Sequence, residues 1–552
     1  MGIPRMYRYL QRRYSDIYFQ TTIDTTISDV LKFFRSQHGL NVDHIDNFYL
    51  DMNAIIHNSA QEVFCYGNYA TRIRKTKPSL SETYNSVTDN VDRLVKIVEP
   101  KELLYMAVDG VCPNPKQQNQ RQRRYGSSVT PQTNTINPRL RPPRGESKSS
   151  GQDSLLPPTA TSPYASLFNS SSISPSTPFM QELDRHIKKY LRKINVKTIY
   201  SSHEDQGEGE HKIMDYLRKN IDAVKTKTHG IYGLDADFFM LALATQCPNI
   251  FLVREDLADM SMHYVSIDLL RRSLIGDLSN DGHPDAKTII DDFVLICIMV
   301  GNDFLRPIAS FEDLPFVMDV VLDAYAKFSL PLTSDRRIIS ENVRKFFQNL
   351  LNSQQTILNR NVANSRKHIE PDPALVNATT AGIKDGIFTE SINIEKWEKE
   401  YYHDRFGNDT IRDKICQSYY IGLDWICRYY FTGCPDWRWF YPYHYSPTLR
   451  DLSLYKYRPI LFKGGKAVQP IVQLLAIMPP TASDMIPAKY RHLMLDENSP
   501  LAKYYPKTVK MDLKGCTAPW HGTLLLPFVN HREIEQAVKD VDDKMKKIDK
   551  IG

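Results

Sequence analysis

Seven carboxylates in this 552-residue chain stand at the ends of apolar runs or beside glycine, where ionised groups rarely go without a reason. They are Asp51 in FYLDMN, Asp109 in YMAVDG, Glu208 and Glu210 in GEGEHK, Asp235 and Asp237 in YGLDADFF, and Asp303 in MVGNDF. A carboxylate near a packed interior costs several kcal/mol unless a positive charge offsets it. An all-oxygen set suits a hard divalent cation, Mg²⁺ or Mn²⁺ rather than zinc. Read together, the seven suit a metal-dependent phosphoryl-transfer site. Each motif alone has a plainer reading. GEGEHK is also a helix start whose acids complement the dipole, and GNDF is also an ordinary Asn-Asp turn. LDAD predicts Asp235 and Asp237 on one face of an extended segment.

The segment VDGVCPNPKQQNQRQRRY, which begins at Val108, supplies the opposite charge. On a helix, Lys116, Gln120, Arg123 and Arg124 share one face by their i+3 and i+4 spacing. An ammonium, an amide and two guanidiniums on one face make a pocket for a terminal phosphate. The alternative is a solvated basic face. Net charge is only +6, but Val111 to Met180 holds eight basic and two acidic residues, so the excess is local. Basic charge beside an acidic cluster points to an anionic polymer held over metal ions. Charge alone favours the plainer reading, a solvated basic loop.

The elements that must position these groups are legible from periodicity. Asn47–Leu50, Glu102–Val108, Val196–Tyr200 and Thr228–Gly233 read as strands. Ile27–Phe34, Val87–Val98, Phe179–Leu191 and Glu210–Asn220 read as helices. This alternation predicts an α/β fold, a doubly wound and mostly parallel sheet with flanking helices. Three of the acidic motifs then fall at carboxyl ends of strands, where such sheets place their sites. Gly126–Pro178, rich in Ser, Thr, Pro, Asn and Gln, reads as a mobile low-complexity insertion. A second loosely patterned stretch covers about 360–393, followed by the aromatic-dense Tyr401–Tyr445.

A chain of this length holds two or three lobes. The longest apolar run, Phe293–Val300, is too short to span a bilayer. Eight cysteines without metal-ligand spacing fit a reducing interior. No leader opens the chain, and Met6 stands where a myristoylation site has Ser or Thr. The expectation is an intracellular protein, cytoplasmic or else nuclear, with no membrane attachment.

The chain resembles the 5′-to-3′ exoribonucleases of the Xrn/Rat family. MGIPRMYRYLQRRY, FYLDMNAIIH, AVDGVCPNPKQQNQRQRR, SISPSTPFM, GEGEHKIMDYLR, YGLDADFFML and DDFVLICIMVGNDFLRP resemble its first conserved region, in order. YYIGLDWICRYYFTGCPDWRWFYPYHYSP, PIVQLLAIMPP, LDENSPLAKYYP and LLLPFV resemble its second. The resemblance implies a PIN/FEN-like catalytic domain over 1–330, interrupted by the insertion at about 126–178. It implies a helical, aromatic-rich region over 331–552 that completes the pocket. All seven acids match the family's metal set, which holds two Mg²⁺ ions, Mn²⁺ substituting. Lys116, Gln120, Arg123 and Arg124 match its 5′-monophosphate pocket. His57 matches a histidine that stacks on the first base, with Trp439 as its partner and Trp437 as the alternative. The implied activity is 5′-to-3′ degradation of single-stranded, 5′-monophosphorylated RNA to nucleoside 5′-monophosphates, in RNA decay, by a monomer.

Two departures from the family stand out. After Arg124 the chain turns into the Ser/Thr/Pro-rich insertion where the family continues a long charged helix, which bears on processivity and duplex unwinding. Asp205 and Gln206 replace apolar and proline residues beside the intact glutamates. The chain also stops soon after the second region. Two other functions share parts of the pattern: a flap-type DNA 5′ nuclease, and a catalytically inactive RNA-binding scaffold.

Overall fold

Asn47–Asp51 (β2) and Leu103–Ala107 (β3) are buried at every position, a pattern that only strands covered on both faces satisfy. In the computed structural model, which describes residues 6–22, 25–129, 163–256, 261–279, 282, 285–384 and 387–548, they lie near the middle of a seven-stranded sheet. The other strands are Tyr18–Gln20 (β1), Thr198–Ser201 (β4), His229–Tyr232 (β5), Ile250–Glu255 (β6) and Met262–Ser266 (β7), in the order β1-β7-β6-β5-β2-β3-β4. β6, β5, β2, β3 and β4 are parallel, while β7 and β1 add an antiparallel edge. The edge strands β1 and β4 are only half-buried.

The chain runs outward from β2 to β3 and β4, then returns to the other side of β2 for β5 and β6. The order therefore reverses at β2, and the carboxyl ends of β2, β3 and β5 border one crevice. Helices Met52–Phe64 (α1), Asn114–Val129 (α2), Gly209–Lys219 (α3) and Asp237–Thr245 (α4) start at or just beyond those ends. Ala286–Val300 (α5) has every residue from Ile289 onward buried, so it is a core helix and not a surface one. Arg412–Phe431 (α6) packs on α4 and α5 and buries Tyr419, Tyr420, Trp425, Tyr429 and Tyr430.

The apolar interior divides in two. One cluster runs from Met6 to Tyr457 and includes both faces of the sheet. The other gathers residues 468–541, including Pro470–Ile477 (α7) and His531–Ile548 (α8), around Val111 and Tyr125 of the first half. Arg121 joins the halves. It is 1% exposed and donates to the carbonyl of Ala476 at 2.9 Å and to that of Tyr504. Its guanidinium lies 4.5 Å over the Tyr125 ring.

Three sequence expectations need correction. The insertion expected over 126–178 has ordered ends: α2 continues to Val129, and Phe168 stacks on Phe64 at 4.9 Å. Ile173, Ser174 and Thr177 are buried, and Thr177 caps the helix Pro178–Tyr190. Residues 130–162 lie outside the described residues. The stretch 360–393 is not loose either. It carries the end of helix Ser340–Asn364, the helix Pro373–Ala378 and the hairpin Thr379–Lys384/Ile387–Ile392. Finally, LDAD is not extended, because α4 begins at Asp237. Asp235 stays half-buried in the preceding loop while Asp237 is 2% exposed.

Candidate active site

Asp51 ends β2 and caps α1, its carboxylate accepting from the Asn53 amide at 3.2 Å. Asp109 lies two residues past β3, whose last residue Ala107 pairs with Asp51. Its Oδ2 accepts from Asn53 Nδ2 at 2.7 Å and its Oδ1 from the Gly209 amide at 2.6 Å. The Asp109 amide in turn donates to Asn53 Oδ1 at 3.0 Å. One asparagine thereby fixes the first two acids.

The GEGE loop closes over them, and glycine is needed at two contacts. A Cβ on Gly209 would stand 3.1 Å from both Asp51 Oδ1 and the Ala107 carbonyl. A Cβ on Gly110 would collide with the Asp205 carbonyl oxygen at 1.7 Å. Glu208, at the start of α3, and Glu210, in its first turn, are 3% and 6% exposed. The hydroxyl of Tyr429 on α6 donates to Glu208 Oε1 at 2.9 Å, and that of Tyr430 bonds Asp237. The second half of the chain thus supplies part of the site. Asp205 and Gln206 are structural: Asp205 accepts from Ser201 Oγ and the Ser202 amide, and Gln206 Oε1 from the Ala467 amide.

Lys116 sits inside the acid cluster. Its ammonium is 2.6 Å from Glu208, 2.8 Å from Asp303 and 4.0 Å from Glu210. Arg123 and Arg124 lie farther along α2. Arg123 is exposed, and Arg124 donates to the Ser171 carbonyl at 3.3 Å. Gln120 Oε1 is buried without a partner. Arg121 points the opposite way, toward the carbonyls of Ala476 and Tyr504.

Among the described residues, Lys116 is the cation paired with these acids, and burial keeps most of the carboxylates raised. Burial, then Asp109, pushes Asp51 up to about 7. Burial, then Asp303, pushes Asp237 up to about 6. Glu210 rises well above the usual carboxylate range and Glu208 rises too, burial outweighing the nearby ammonium of Lys116. Asp303 is lowered: burial opposes its charge, but Lys116 prevails. Carboxylates held this way call for further positive charge.

The donor set fits a divalent cation. Ligand atoms of Glu208, Glu210 and His211 all lie within 4.8 Å of one another. Asp237 Oδ1 and His211 Nδ1 are buried with no hydrogen-bond partner. His57, on α1, is half-buried and near enough to Arg123 and Arg124 to feel their charge. Burial, then those two arginines, lowers its pKa to about 4, so the ring is neutral at physiological pH. Trp439 stacks on Trp425 at 5.2 Å, whereas Trp437 is engaged through its backbone, accepting from the Asn114 amide at 3.1 Å. Among the described residues no ring contact joins His57 to either tryptophan.

Sequence reasoning missed Asn53, His211, Tyr429 and Tyr430. The first two are neighbours of motif acids and so carried a signal by adjacency. The tyrosines, about two hundred residues from their carboxylates, carried none.

Comparison with known proteins bears on the whole chain. The model described as XRN 5′-3′ exonuclease N-terminus matches residues 1–256, and that described as Xrn1 helical domain matches 283–396 and 392–551. The chain is 28% identical to 5′-3′ exoribonuclease 1 of Homo sapiens over 99% of its own length and 34% of that protein. It is 27% identical to the 5′-3′ exoribonuclease 2 homolog of Drosophila melanogaster, over 99% of this chain and 71% of that one. Against 5′-3′ exoribonuclease 1 of Saccharomyces cerevisiae the identity is 26%, over 98% and 43%. The chain thus spans from about a third to about seven tenths of the length of these relatives. The catalytic core of Rad2 in complex with DNA substrate aligns at a TM-score of 0.35 and 11% identity over 74% of this chain and 96% of that one, too loosely to bear on chemistry.

Proposed function

The chain belongs to the Xrn 5′-3′ exonuclease family, and from that premise we propose that it degrades single-stranded RNA from a 5′-monophosphate end, releasing nucleoside 5′-monophosphates. The reading rests chiefly on one juxtaposition: α2 carries Lys116 into the acid cluster and Arg123 and Arg124 beside His57. One rigid helix therefore reaches from the acid cluster, through Lys116, to the basic face of Arg123 and Arg124.

In this reading Arg123, Arg124 and Gln120 take the terminal phosphate, the guanidiniums by charge-assisted hydrogen bonds. The neutral His57 ring and Trp439 receive the first base by stacking, worth about 1–3 kcal/mol and indifferent to sequence. Lys116 screens the incoming phosphate from Glu208 and Asp303. Asp51, Asp109, Glu208, Glu210, Asp235, Asp237 and Asp303 would hold two Mg²⁺ ions, or Mn²⁺ in their place, whose charge would favour ionisation of water and departure of the leaving oxygen. Water adds to the phosphorus between the first two nucleotides, and the 3′ oxygen of the first leaves and is protonated. The second nucleotide keeps the phosphate, so the shortened strand again presents a 5′-monophosphate.

The protein acts as a monomer inside the cell, in the cytoplasm or the nucleus. Among the described residues no helix is long and apolar enough to cross a membrane. The test compares RNA carrying a 5′-monophosphate, a 5′-triphosphate or a 5′-hydroxyl, with wild type and Asp235→Ala. Only the monophosphorylated RNA is degraded rapidly, and the variant is inactive. Equal rates on all three ends refute the pocket assignment. Preferred degradation of matched DNA favours the flap-nuclease reading, and RNA binding without cleavage favours the scaffold.

A further inference from the structure

Among the described residues, His211 is a group at the acid cluster that an all-carboxylate metal set leaves without a role. It is 4% exposed, and Nδ1 is buried with no hydrogen-bond partner. A buried imidazole nitrogen without a partner forfeits an interaction worth about 1–3 kcal/mol, so such atoms usually find one. The ring is also fixed in orientation. It stacks on Tyr429 at 3.7 Å and 17° and meets Tyr430 edge-on at 5.7 Å. Tyr429 in turn packs against Trp425 at 4.9 Å, and Trp425 stacks on Trp439. The hydroxyl of that same Tyr429 holds Glu208, so one side chain of α6 sets both the carboxylate and the imidazole. The ligand atoms of His211, Glu208 and Glu210 lie within 4.8 Å of one another, a separation that a single ion can bridge.

We propose that His211 is a direct metal ligand, giving this centre one nitrogen donor beside its carboxylates. The proposal deepens the metal-dependent reading above and rests on it. An imidazole turns a hard all-oxygen set into a mixed one, and mixed N/O sites favour Mn²⁺, Co²⁺ and Zn²⁺ over Mg²⁺ more strongly. The tyrosine stack acts as the outer support that a ligating histidine requires: it holds the ring plane while leaving a nitrogen free.

The experiment is pulsed electron paramagnetic resonance of Mn²⁺ bound to the full chain, prepared unlabelled and with ¹⁵N-histidine. The expected spectrum shows directly coordinated nitrogen that changes from ¹⁴N to ¹⁵N frequencies on labelling and disappears in His211→Gln. The Mn²⁺-over-Mg²⁺ affinity ratio of that variant falls by about tenfold or more, the scale seen when a metal ligand's surroundings are altered. Mn²⁺ bound to the wild type without histidine nitrogen overturns the proposal and leaves the carboxylate site standing. Coupling that persists in His211→Gln overturns it as well, since another histidine is then the ligand. Absence of Mn²⁺ binding overturns both this proposal and the metal reading. The wild-type spectra need no variant to fold, and the cleavage assay on the three RNA ends judges the proposed activity separately.

Discussion

Lys116 offers the sharpest test of how the acid cluster is held together. Its side chain is 11% exposed and pairs with Glu208 and Asp303, whose side chains are 4% and 9% exposed. This is a buried pair in the sense that matters. An exposed ion pair contributes about 0–1 kcal/mol, whereas removing one partner of a buried pair costs about 3–5 kcal/mol because the other charge is left alone. Lys116→Met keeps the length of the side chain and removes the charge. In urea unfolding at pH 7.5 with EDTA, the variant loses about 3–5 kcal/mol. Lowering the pH shrinks that loss, since Asp51, already raised to about 7, and Asp237, raised to about 6, take up protons and the cluster sheds the charge that lacked a partner. Saturating Mg²⁺ shrinks it too, because a bound cation stabilises the folded state by mass action. A variant within about 0.5 kcal/mol of wild type in EDTA at pH 7.5 would refute the reasoning, since that is the scale of a substitution on an open surface. So would a loss that stays constant between pH 7.5 and 5.5.

Other outcomes follow from the same geometry. Gly209→Ala puts a methyl group 3.1 Å from Asp51 Oδ1; shifts near 1 Å at a reacting centre cost about a hundredfold, so steady-state cleavage falls by that order while far-ultraviolet circular dichroism is unchanged. Arg121→Ala strips the carbonyls of Ala476 and Tyr504 of their donor and lowers unfolding free energy by about 2–4 kcal/mol, measured by denaturant titration. His229 is fully buried and donates from Nε2 to the Val224 carbonyl at 3.0 Å, and burial lowers its pKa to about 4. The unfolded chain, with a histidine pKa near 6.5, binds its proton first, so stability is intact above about 6.5 and is lost as pH falls toward 4, by about 3 kcal/mol in all. His229→Gln removes that portion of the slope, read from unfolding free energies across the pH range.

The parallel core of the sheet was legible because burial on both faces leaves short segments rich in apolar and aromatic residues and free of charge. Asn47–Leu50 and Thr228–Gly233 needed nothing more than their own residues. The acids were legible for a related reason: a carboxylate ending such a run is costly and therefore informative. Two kinds of feature did not show. Asp237 was expected beside Asp235 on a strand, but local alternation cannot reveal that a helix starts between them. Lys116 was expected beside Arg123, yet the ends of one basic helix face different surroundings, and only the fold brings Glu208 and Asp303 to Lys116. Tyr429 and Tyr430 lie in the aromatic-dense stretch, where nothing singles them out; their rings pack in the core, and their hydroxyl partners depend on how α6 meets α3 and α4. The ordered segment 163–177 was hidden because Ser, Thr and Pro dominate its composition, while its few large side chains, Phe168 and Ile173, do the packing.

The most direct test of the account follows one RNA from both ends. A single-stranded, 5′-monophosphorylated RNA is labelled on its 5′ phosphate in one sample and at its 3′ end in another, and each is incubated with the protein and Mg²⁺. The account predicts that the 5′ label appears from the earliest times as nucleoside 5′-monophosphate alone, while the 3′ label remains on RNA that shortens progressively. Release of the 5′ label in oligonucleotides, or loss of the 3′ label first, would contradict it.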